Sequence, residues 1–246
     1  MRVLLCLFLA CGLAVAAIDT VGVGTAAAAA KNGADATIDI SGLGLSEGDV
    51  VIVTGGHPYR AGTSLGPSTA GYTEVAIDST TNYASHGVWR KIMGGTPDAS
   101  IVCYNTGDAA DVCAYAAIGL SGVDTAHILD TLVVDSTGLD VDDEYSASAS
   151  IVTVTDSAWV IQCVGRICGD LDAGVISGYT NDITAAQNDV NDYAAALCTK
   201  LIPTAASEAG GYWADLYTIG DWVNFTVAIR PAAAAATTIA PGFFFR

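Results

Sequence analysis

Gly48-Asp49-Val50-Val51-Ile52-Val53-Thr54 is the stretch on which the fold turns. A Gly-Asp turn leads into an unbroken β-branched run, and Gly55-Gly56 and Pro58 bound it downstream. Such a run of four to eight residues reads as a buried strand, because branched side chains pack well on a pleated surface. Its surroundings recur later in the chain. Ser157-Ala158-Trp159-Val160-Ile161-Gln162-Cys163-Val164 answers the first strand, and Gly178-Tyr179-Thr180 answers Gly71-Tyr72-Thr73. The segment from Ala194 to Ile202 answers His86 to Met93, with Lys200 near the place of Lys91, and Trp222 to Pro231 answers Val112 to Gly122.

Composition agrees with many short strands and turns. The chain has 246 residues, 52% hydrophobic, with 27 glycines and few helix-period stretches. Strand faces are legible from alternation. Val88, Arg90 and Ile92 share one face of a strand, and Trp89, Lys91 and Met93 share the other. In the last strand Val223, Phe225, Val227 and Ile229 oppose Trp222, Asn224, Thr226, Ala228 and Arg230, and Pro231 ends it. Further strands are expected at 18–23, 36–40, 100–104 and 112–120, and a long polar loop from Gly55 to Ala70. The run Ala26 to Ala30 is too short to be a stable helix alone.

These elements resemble a group of uncharacterised phage and bacterial β-sandwich proteins. The resemblance rests on Gly48 to Val53, Gly71-Tyr72-Thr73, Val88 to Pro97, Ala116 to Asp124, and Val227 to Pro231. It covers about residues 36 to 232 and implies a jelly-roll-like sandwich with no catalytic residues to carry over. The chain has Thr69 where the group usually has proline. The expected fold is therefore all-β: one jelly-roll-like sandwich over 18–231, with sequence-related halves at about 36–124 and 150–231, strands intertwined. Residues 1–17 read as a signal peptide, with Arg2 before an apolar core and Ala14-Val15-Ala16 as the cleavage pattern. Residues 232–246 form an Ala- and Phe-rich tail. Phe243, Phe244 and Phe245 are candidates for contact with a neighbouring subunit, because three adjacent aromatic rings are costly to leave in water.

Charge narrows the function classes. The net charge is −17, from 26 acidic and 9 basic residues, and only four of the acidic ones are Glu. Aspartate on turns is loop decoration on a β scaffold. Phosphate binding needs clustered Lys and Arg, so nucleic acid is not expected as a partner. Export favours disulfides, and the turn 105–108 and Gly165-Arg166 suggest pairing Cys103 with Cys113 and Cys163 with Cys168, leaving Cys198 unpaired. No cofactor is expected. Calcium at Asp135, Asp140, Asp142, Asp143 and Glu144 is the one metal reading, and it lacks the spacing of an EF-hand loop.

No nucleophile elbow or triad spacing is present, and His86 reads as a strand-edge residue. Tyr59 with Arg60, and Tyr212-Trp213 with Asp215, are candidates for stacking on a sugar ring; otherwise these aromatics cap the core. Asn224-Phe225-Thr226 is a mid-strand glycosylation sequon. The expected protein is an exported, non-enzymatic structural subunit of a fibre or virion-like particle, self-associating and without a transmembrane span. A secreted glycan-binding module is the alternative, and a glycoside hydrolase the distant one.

Overall fold

The structure is a computed structural model that describes residues 17–22, 26–29, 35–58, 64–80, 84–105, 112–131, 134–139, 146–167, 176–187, 193–213 and 221–233. In chain order the strands are β1 (Asp19–Gly22), β2 (Ala26–Ala29), β3 (Ala36–Asp39), β4 (Val50–Pro58), β5 (Thr73–Ser79), β6 (Ala84–Ile92), β7 (Ser100–Cys103) and β8 (Cys113–Ser121). They continue as β9 (Val134–Leu139), β10 (Ser146–Ala147), β11 (Ile151–Val152), β12 (Ala158–Arg166), β13 (Thr180–Gln187), β14 (Tyr193–Ile202), β15 (Ser207–Glu208), β16 (Tyr212–Trp213) and β17 (Asp221–Ile229). One 3₁₀ turn, Ser41–Leu43, follows β3. The protein is an all-β sandwich.

Two antiparallel sheets form its centre. Sheet I runs β1-β8-β4-β6-β5, with β2 also on β8; sheet II runs β13-β14-β12-β17-β9. The organising strand β4 pairs along its whole length with β6, and over Val50 to Gly56 with β8. The inward faces meet in one apolar layer. From sheet I come Val50, Ile52, Val88, Ile118 and Leu120; from sheet II come Trp159, Ile161, Leu197, Val223, Phe225, Val227 and Ile229. Alternation thus put the last strand's apolar face where it belongs.

The outward faces are also covered. Sheet I carries the small β3–β7 sheet, whose Ala36, Ile38 and Ile101 bury Val51, Val53, Trp89 and Met93. Sheet II carries the pairs β10–β16 and β11–β15, and Ile151, Ile176, Tyr179 and Trp213 pack on Val160, Val164, Ala196, Cys198 and Ala228. This explains why the central strands read as continuous apolar runs: both of their faces are dry.

Two expectations are revised. Strands are not exchanged between the main sheets: β4, β5, β6 and β8 stay in sheet I, and β12, β13, β14 and β17 in sheet II. Each of these sets holds enough long strands to make a sheet, so no intertwining is needed. Second, Gly55-Gly56 does not end the first strand, which continues to Pro58. A Cβ on Gly55 would meet Tyr115, and one on Gly56 would meet Ser85 and Tyr193, so these glycines mark close approach rather than a turn. The strand expected at 18–23 forms as β1 and joins its own sheet: β1 and β2 both pair with β8, and Ile18 enters the central core. Alanine suits β2, because Ala26 and Ala28 lie against Ala185 and Tyr193 where the sheets approach closely.

Candidate functional site

Among the described residues, the inner faces carry a polar cluster toward one end. Thr54 continues the Val50-Ile52 face of β4, His86 the Val88 face of β6, and Cys163 the Trp159-Ile161 face of β12. Tyr193, at the start of β14, reaches them from sheet II. The Tyr193 hydroxyl donates to the Ser85 carbonyl at 2.9 Å. Its oxygen is then left to accept from His86 Nδ1–H, also at 2.9 Å. The opposite ring nitrogen, Nε2, accepts from the Thr54 hydroxyl at 2.7 Å. The Thr54 hydroxyl also lies 3.2 Å from the Gly87 carbonyl, and Cys163 sits beside it. His86 stacks on Phe225, with ring centroids 6.1 Å apart.

Two glycines make the space. A Cβ on Gly165 would collide with both Tyr193 Oη and His86, and one on Gly56 with Ser85 O and Tyr193 Oη. Burial controls the chemistry. It holds the His86 imidazole neutral, with its pKa lowered to about 3, and pushes the Cys163 thiol up to about 12 even with the Thr54 hydroxyl beside it. A protonated thiol beside a neutral imidazole is not an activated nucleophile. The cluster is a polar tie between sheets, each member satisfied by the next. His86 is therefore not a strand-edge residue. It lies on β6, between β4 and β5, and is fully buried.

A second arrangement occurs once on each sheet. Gly71 and Gly178 take positive φ, +90° and +84°, and turn the following tyrosine under a lysine. Lys91 Nζ lies 5.3 Å from the Tyr72 ring centre and 2.7 Å from Asp98. Lys200 Nζ lies 5.5 Å from the Tyr179 ring centre and 2.6 Å from Glu208. The repeated Gly-Tyr-Thr is thus a structural clip, combining cation–π and ionic contact near the surface. The other signature residues form a clasp. Val123 bridges to Pro231, the Asp124 N–H donates to the Arg230 carbonyl at 3.0 Å, and Arg230 Nε lies 3.6 Å from the buried Asp130 carboxylate.

The residues singled out from sequence fare unevenly. Trp213 is 1% exposed and donates to Ser148 Oγ at 3.1 Å, so its ring caps the outer core of sheet II and offers no face to a sugar. Tyr212 pairs with Ala147, while Tyr59, Cys168 and Phe243 to Phe245 lie outside the described residues. So do Asp140, Asp142, Asp143 and Glu144; Asp135 lies on β9 opposite Phe225. Among the described residues no group of three His, Cys, Asp or Glu is placed to hold a metal.

Cys103, Cys113, Cys163 and Cys198 are buried, and no disulfide joins them. The expected Cys103–Cys113 bond is not formed, although both residues belong to the cluster beneath β3–β7. Burial, and after it the neighbouring Cys113, pushes the Cys103 thiol up. Asn224 is 1% exposed, so its strand position seals the sequon away from a glycan. No family model, curated protein or solved structure matches this chain.

Proposed function

We propose that this protein is a non-enzymatic structural subunit, exported and assembling into an extracellular fibre or virion-like particle. The observation that carries the reading is the use of its reactive side chains. His86, Cys163, Cys198, Tyr115 and Tyr193 all lie in dry layers, and those of the central tie bond to one another or to backbone. Chemistry in a sandwich normally sits on loops that the scaffold exposes. Here the polar groups fasten the layers. The outer edge of β5 adds support, since sheet I ends there and an edge strand accepts a further strand through its backbone. No helix among the described residues is long and apolar enough to cross a membrane.

Two sequence-related halves are part of the proposal. The order β8-β4-β6-β5 matches β17-β12-β14-β13. Thr54 pairs with Ala116 and Cys163 with Phe225, so residue 54 answers residue 163 and residue 116 answers residue 225, the same spacing on both strands. Gly48 at φ +90° and Ser157 at φ +62° keep that spacing too.

The test is particle size. Light scattering and electron microscopy of the full chain, and of a variant lacking residues 237–246, should show an assembly that shrinks or weakens on truncation. A full chain that stays monomeric at high concentration would remove the reading. The glycan-binding alternative loses Trp213 to the core; of its other two candidates, Tyr212 pairs with Ala147 on β16 and Tyr59 lies outside the described residues.

A further inference from the structure

An acidic protein with an unpaired arginine in a cleft invites a question about its counter-ion. Among the described residues, Lys91 is neutralised by Asp98, Lys200 by Glu208 and Arg230 by Asp130, while Arg166 is buried within sheet II. Arg90 stands apart: no hydrogen bond or ion pair reaches its guanidinium from the described residues. It pairs across the ladders with Ile52 on β4 and Thr73 on β5. It has the parity of Val88, so it leaves the inner face of sheet I near its end, where the 122–130 segment passes over.

There it lines a cleft of about 270 Å³ with Thr73, Ile92, Thr125, Ala126 and Ile128. Among the described residues no carboxylate lines it, in a chain with 26 acidic residues. Two carboxylates adjoin it in sequence: Glu74 follows Thr73 but pairs with Trp89, on the alternate position of the β5–β6 ladder, and Asp124 is engaged by its own turn, accepting from the Ala126 N–H at 3.0 Å and the His127 N–H at 3.2 Å. Lys91 also borders the cleft, but its ammonium is held by Asp98 and by the Ala70 carbonyl. One half-buried guanidinium is therefore the cleft's available charge.

We propose that this cleft binds a small carboxylate, with Arg90 as its two-pronged anchor and the Thr73 and Thr125 hydroxyls as further polar contacts. A guanidinium presents parallel N–H donors whose spacing matches a carboxylate. Removing such a cation partly from water without a partner is unfavourable, and a ligand that restores the pairing gains accordingly. Charge selects between oxyanions. A phosphate near neutral pH carries between one and two charges and calls for a second cation, which Lys91 does not supply. The volume lies just below the usual range for drug-sized ligands, so one small acid or a single sugar acid fits. Ile92 and Ile128 give it an apolar wall.

The test is titration of the full chain, at fixed low ionic strength, with acetate, glucuronate, glucose and inorganic phosphate. Binding is followed by the backbone amide resonances of Gly71, Thr125 and Ala126. Saturable shifts with acetate and glucuronate are expected. Equal affinity for the two would mean the carboxylate alone is read, and tighter glucuronate would mean that a sugar ring is read as well. Arg90→Gln should weaken binding at least about tenfold, the scale of a charged hydrogen-bonded contact. Thr125→Val, on an exposed turn, should weaken it severalfold and covers the case in which Arg90→Gln does not fold. Glucose binding as well as glucuronate, phosphate binding in place of carboxylates, an absence of saturable shifts, or unchanged affinity in either variant would each overturn the proposal.

Discussion

Acid should weaken this sandwich through His86. The ring is fully buried between the sheets, bonded on both nitrogens, and burial lowers its pKa to about 3 from 6.5. Asp78 faces His86 across the β5–β6 ladder, but its carboxylate accepts from the Ser79 N–H, and burial alone accounts for the shift. The unfolded chain takes up a proton near pH 6.5, whereas the folded chain does so only near pH 3. The unfolded state therefore binds more protons throughout that window, and stability falls as pH falls through it. At about 1.36 kcal/mol per unit, the loss is about 2 kcal/mol by pH 5 and about 4 kcal/mol by pH 3. Set against a typical domain stability of about 5–15 kcal/mol, that is a large share. Urea denaturation of the full chain and of His86→Gln at pH 8, 6.5 and 5 measures it. The amide keeps polar contacts but does not titrate, so the stability gap between the two proteins should narrow by about 2 kcal/mol from pH 8 to pH 5. That interval lies mostly above carboxylate titration. Curves that run parallel across it would refute the assignment.

Other perturbations probe the rest of the architecture. Gly165→Ala should cost about 1–3 kcal/mol or more, because its Cβ meets the Tyr193–His86 pair, and thermal melting would register it. Gly42→Ala, with no atom within 4 Å of the added carbon, should change stability by less than about 0.5 kcal/mol. Trp213→Ala should lose about 3–5 kcal/mol in denaturation while leaving retention on a glycan array unchanged, since the ring is core. Cys163, with its thiol pushed up to about 12, should resist iodoacetamide in the native protein at pH 8 and react on unfolding, as mass spectrometry would show.

Much of this fold can be read along the chain, and the reasons are local. Val50 to Val53 is a strand because branched side chains favour the pleat, and Val223 to Ile229 declares its inner face by alternation. Gly71-Tyr72 and Gly178-Tyr179 are visible as a repeat because a positive-φ glycine and its tyrosine form a unit within a few residues. What could not be read depends on partners far away in sequence. Nothing near His86 announces Tyr193, and Gly165 looks like a turn until Tyr193 of the next strand and His86 of the opposite sheet meet over it. The face of Trp222 and Asn224 reads as solvent-facing because the cover over sheet II comes from short strands with weak patterning. Trp213 and Asn224 were thus settled by burial under neighbours. The sequence by itself determined which segments become strands and which residues turn inward, since those follow from side-chain shape and a period of two. Only the packing of one sheet on the other decided which polar groups meet and which surface remains open, because those depend on distances between segments that the chain order does not encode.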